Sequence, residues 1–200
     1  MLKIILCFFL VVFSQAPLVA KNNNELASIE CAPQLQGCLK KILEVAEAKE
    51  LISKIQEEGP ISIIVNNDNV SSQFGAYWDG IERTICIYLA SDSSEGDLIT
   101  CIIFELHNAK ANNKFTYYDK LACSGKINRK NYIREVEYIE YKNTLKTSKI
   151  SKRGIDLGIF PKDAFLPIYD NFEDHFLGQI RGGHSAVIGK NYDYWVRNKC

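Results

Sequence analysis

Apolar and polar positions fall into blocks along this chain, and their spacing predicts its elements. From about Leu35 to Glu57, Leu39, Ile42, Leu43, Ala46, Leu51, Ile52 and Ile55 recur at helical spacing, with Lys and Glu filling the other face. "EEGP" ends that helix, because Gly59 can take a left-handed cap and Pro60 cannot extend the helix. Three runs follow, "ISIIVN", "QFGAYW" and "RTICIYL", whose β-branched and aromatic content and alternation predict short strands. Asp79-Gly80 between the second and third predicts a hairpin turn. The next helix is expected from roughly Asp97 to Ala111, starting after Ser93 or Ser94 and ahead of acidic residues. Leu98, Ile99, Ile102, Ile103, Phe104 and Leu106 cover it on almost every side, as in a central, buried helix. Another should span about Arg129 to Thr147, with Tyr132, Val136, Ile139 and Leu145 on one side. The Gly- and Pro-punctuated C-terminal third offers one short helix, "NFEDHFLGQI". Helices and strands in blocks give an α+β class: a small antiparallel sheet packed on a buried central helix, with an irregular C-terminal segment.

The start of the chain changes the count of what must fold. Residues 1–20 read as a signal peptide: Lys3 ahead of the apolar run Ile4 to Phe13, then "PLVA" before a polar "KNNNE". The run is well short of the roughly 20 residues that span a bilayer, so no stable membrane span is expected. The remainder, 21–200, is expected to be a single exported domain, periplasmic or extracellular. Lysines and arginines together equal aspartates and glutamates, at 24 each, so removing residues 1–20 leaves a formal charge of −1. That balance offers nucleic acid no electrostatic footprint.

Loss of Cys7 leaves six cysteines: Cys31, Cys38, Cys86, Cys101, Cys123 and Cys200. An even number in an exported chain makes all six disulfide candidates, with connectivity left open. No pair has Cys-x-x-Cys spacing, which excludes a redox motif or a zinc ribbon of that type. Asn69-Val70-Ser71 is a glycosylation sequon between two strands.

The unexpected residue is Glu105, inside "LITCIIFEL". A buried carboxylate is costly unless it is paired, hydrogen-bonded or bound to a metal. Either it accepts hydrogen bonds and fixes helix packing, with Arg83 and nearby tyrosines as donors, or it is an acid or base with a shifted pKa. The order of residues about 60–143, "FGAYWDGIERTICIYLA" then "DLITCIIFELHNA", resembles the core of zincin metallopeptidases. In those the active-site helix carries His-Glu-x-x-His, two histidines on one helix face around one zinc. Laid on this chain, the glutamate falls on Glu105, while Phe104 and Asn108 occupy both histidine positions. A third zincin ligand often comes from a following helix, where Glu137 and Glu140 lie in order. The resemblance therefore implies a zincin-like scaffold without its metal or other cofactor, a pseudoenzyme that binds a protein or peptide along its edge strand. His107, two places after Glu105 and about 200° around the helix, does not replace the lost ligands.

Two other readings stay open. One is a hydrolase with a site of its own, Glu105 acting as acid or base with His107, His175, His184, Glu137 or Glu140 assisting. The other is a secreted toxin or effector domain. "GHSAVIG" does not meet the Gly-x-Ser-x-Gly pattern of a nucleophilic serine, and no phosphate-binding glycine loop is present.

Overall fold

A computed structural model describes residues 29–66 and 75–198. The stretch 1–20 read as a signal peptide, the Asn69 sequon and Cys200 lie outside the described residues. The first helical block is broken in two: α1 (Gln36–Glu44) and α2 (Ala46–Gln56) meet at Val45, which is extended and fully buried. A strand the pattern did not announce, β1 (Glu30–Cys31), precedes them.

Strands β2 (Ser62–Val65), β3 (Ala76–Asp79) and β4 (Thr84–Ile87) follow. The sheet order is β1-β2-β4-β3. β1 pairs with β2 and β2 with β4 in parallel, and only β3 runs antiparallel to β4. The class is α+β as expected, but the sheet is mixed rather than wholly antiparallel, because α1 and α2 carry the chain from β1 to the parallel β2. The expected hairpin forms between β3 and β4, with Asp79 accepting hydrogen bonds from the backbone of Ile81 and Glu82. Arg83 takes a left-handed backbone, φ 51°, and its guanidinium donates to the carbonyls of Ile55 and Gly59 at the end of α2.

Helix α3 (Glu95–Lys110) is held at its start by a reciprocal cap. The Asp97 amide donates to Ser94 Oγ at 3.0 Å and the Ser94 amide to Asp97 Oδ2 at 3.2 Å. Ile99, Ile102, Ile103 and Leu106 are fully buried, joining Leu35, Ile42, Ile52, Ile55, Ile63, Ile85 and Ile87 in one core. Burying one such side chain contributes roughly 1.5–3 kcal/mol, so α3 is fixed by packing on all sides.

α4 (Asn112–Cys123) lies between the expected helices, and α5 (Arg129–Asp156) runs two turns beyond the expected end. Gly154 lets Phe160 pack directly on α5, where a Cβ would collide with its ring. The C-terminal third is helical rather than irregular: α6 (Phe172–Gly182) and α7 (His184–Asn198) are separated by Gly183 in the left-handed conformation. A second apolar cluster, Ala122, Tyr132, Ile133, Val136 and Ile188, ties α7 to α4 and α5. Among the described residues no helix is long and apolar enough to cross a membrane.

Candidate functional site

Glu105 does not reach the surface. It is 4 % exposed, on the part of α3 that packs against β3 and α5. One turn later Asn108 donates from Nδ2 to Glu105 Oε2 at 3.0 Å, and the Trp78 backbone of β3 also hydrogen-bonds the carboxyl. Burial, with the neighbouring Glu140 adding to it, pushes Glu105 up to about 8 against the lowering effect of Asn108 and His184. At neutral pH the group is mainly a neutral carboxylic acid.

Asn108 is used at both ends of its amide. Its Oδ1 accepts from Asn143 Nδ2 on α5 at 3.0 Å, and Asn143 also donates to the His107 carbonyl at 3.3 Å. A zinc ion of the kind zincins hold on this helix does not fit positions 104 and 108. Phe104 has no donor atom, and Asn108 is spent on Glu105 and Asn143. His107 is buried beside Lys146, and burial first, then the lysine charge, lowers it to about 4. Its ring, unlike its carbonyl, plays no part in the cluster around Glu105.

Helix α5 presents Glu137 and Glu140, three residues apart and therefore on one face. Glu137 is 0 % exposed. Ser185 Oγ donates to its Oε1 at 2.6 Å and His184 Nδ1 lies 3.1 Å from the same oxygen. Burial opposes its charge, but His175, His184 and Ser185 together hold it down at about 2. Its other oxygen, Oε2, has no hydrogen-bond partner, nor does the buried His175 Nε2 that faces it from 3.7 Å. Glu140, its side chain 16 % exposed, lies 3.4 Å from His184 Nε2, and burial pushes it up to about 7. His184 is thus set between two carboxylates. Burial disfavours its charge, yet Glu137, Glu140 and Glu105 raise it to about 9.

The structure therefore gathers Glu105, Glu137, Glu140 and His184, four residues expected from the sequence, and sets His175 behind Glu137. Two contributors were missed: Ser185, dismissed as a nucleophile but serving as a donor, and Asn143, which fixes Asn108. Neither carries a motif, since both act across a helix contact. The arrangement can hold and exchange a proton between carboxyl groups of different acidity, the condition for acid–base work. Its open side is at Glu140 and at His184, whose side chain is 22 % exposed.

Of the six bridge candidates, Cys31, Cys38, Cys86 and Cys101 are free thiols, and Cys123 is not one of the free thiols. Cys101 is pushed up to about 11, by burial first and then by Glu105 and Asp97, so it is a poor nucleophile. Comparison of the chain with protein-family models, curated proteins and solved structures returns no match.

Proposed function

We propose that the chain is an exported hydrolase directed at extended peptides, with Glu105 as its acid or base and His184 and Glu140 beside it. The observation that carries this reading is the seat of Glu105: a buried, neutral carboxyl tied to the backbone of Trp78 on the outermost strand. Tyr88 N donates to Gly75 O across the β3–β4 pair. Alternation along an antiparallel ladder then turns the backbone groups of Ala76 and Trp78 outward, away from β4, the Trp78 amide meeting Glu105 and the Ala76 groups left for pairing. A peptide added to that edge by strand pairing would pass Glu105 within a residue or two. A zincin-like ancestry accounts for the order of strand, helix and glutamate, and residues 1–20 would deliver the protein to its exported compartment.

A second reading, binding along the same edge without cleavage, is favoured by Phe104 and by the full engagement of Asn108. The two separate in one experiment. A mixed peptide library is incubated with the wild type and with Glu105→Gln, and both cleavage and retention are followed by mass spectrometry. Cleavage that is lost in a folded Glu105→Gln protein supports the hydrolase. Retention of intact peptides by both proteins supports the binding role, and neither cleavage nor retention rejects both.

A further inference from the structure

Glu137 poses a problem that acid–base work on Glu105 leaves unsolved. A fully buried carboxylate keeps one oxygen, Oε2, without any hydrogen bond, and the equally unpartnered Nε2 of His175 faces it from 3.7 Å. That separation is too long for a hydrogen bond. Buried polar atoms of native proteins are nearly always satisfied, and an ion is one of the few explanations for an exception. Beside it, one donor atom each from Glu137, Glu140 and His184 lie within 4.8 Å of one another.

We infer that Glu137, Glu140 and His184 bind one divalent ion of the zinc or manganese kind, with His175 and Ser185 positioning Glu137. Three ligands sharing an ion at about 2.0–2.2 Å must lie a little closer together than this, so a small inward shift of side chains completes the site. One imidazole with two carboxylates suits zinc and manganese better than an all-oxygen calcium site or a thiolate-rich zinc site. A divalent ion would also compensate the charge of both glutamates. Ser185 Oγ on Glu137 Oε1 is the outer hydrogen bond that fixes a ligating carboxylate. The partly exposed Glu140 and His184 leave a path for entry. This inference rests on the same cluster as the proposed hydrolase but is read out without any substrate.

The test is calorimetric titration of chelator-stripped, full-chain protein with zinc chloride and, separately, manganese chloride. Saturation at one ion per chain is expected, with affinity weakened at least about tenfold in Glu140→Gln and in His184→Gln. Circular dichroism checks that both variants are folded. X-ray absorption of the zinc-loaded wild type needs no variant at all and should show a nitrogen and oxygen shell without sulfur. No saturable binding, binding untouched by both substitutions, or a sulfur ligand pointing to the free cysteines would overturn the inference. Metal binding without peptide cleavage would reject the hydrolase alone, whereas Glu105-dependent cleavage by a protein that takes up neither ion would reject the metal site alone.

Discussion

Asn108 Nδ2 donates to Glu105 Oε2 at 3.0 Å, one helical turn apart in the helix that the core surrounds. The pair explains how a carboxyl survives there, since one amide supplies the donor and the low-polarity surroundings keep the acid neutral. Glu105 holds its proton up to about 8 in the folded protein, against an ordinary value of 4.5. Unfolded chain therefore releases that proton first, and Glu105 makes stability fall as pH rises from about 4.5 to 8. Glu105→Gln keeps an acceptor for Asn108 and has no proton to lose. Thermal melts of metal-free protein should show the variant equal to wild type near pH 4.5 and more stable by up to a few kcal/mol near pH 8. Parallel stability curves would mean that the wild-type carboxyl is not held neutral.

His107 gives the opposite limb. It is kept neutral in the fold, lowered to about 4 by burial and by Lys146, while the unfolded chain protonates it near 6.5. Its contribution is present above pH 6.5 and lost as pH falls toward 4. His107→Leu should flatten the acid side of the stability curve between those values, measured as urea midpoints at pH 7, 5.5 and 4.5. An unchanged acid slope would count against a buried, neutral His107.

Asn143 is 1 % exposed and links α5 to α3 through Asn108 Oδ1 and the His107 carbonyl. Asn143→Ala leaves two buried acceptors with one donor fewer, a loss of roughly 1–3 kcal/mol. A drop in melting temperature with normal far-ultraviolet circular dichroism is the expected result. A variant as stable as wild type would mean the link carries no net energy.

Much of this architecture is legible in local pattern, and what is hidden is hidden for physical reasons. "DLITCIIFEL" declares a central helix because its apolar residues leave no polar face, and the positions of Glu105, Glu137 and Glu140 follow from helix periodicity. The break at Val45 is invisible, since apolar spacing continues across it and only the buried extended backbone separates α1 from α2. α7 is obscured by Gly189 and by β-branched and aromatic residues of modest helix propensity. It forms because Ile188 and Tyr192 pack on Tyr132 and its neighbours, a long-range effect. The union of His184 with Glu137 and Glu140 depends on that same packing, so no spacing in the sequence announces it.

Two buried serines make the sharpest energetic contrast. Ser185 Oγ donates to the charged Glu137 at 2.6 Å, whereas Ser151 Oγ on α5 is buried with no partner. The substitution is chemically the same in both, loss of one hydroxyl. Ser185→Ala removes a donor from a carboxylate that has no access to water, which costs about 1.5–3 kcal/mol. Ser151→Ala removes an unsatisfied group and leaves only a small gap, so its effect should be near zero or stabilising. Chemical denaturation of the two variants at pH 7 measures the difference directly. If Ser185→Ala proved as harmless as Ser151→Ala, Glu137 would not depend on its donor, and the picture of a carboxylate held in place from α7 would have to be given up.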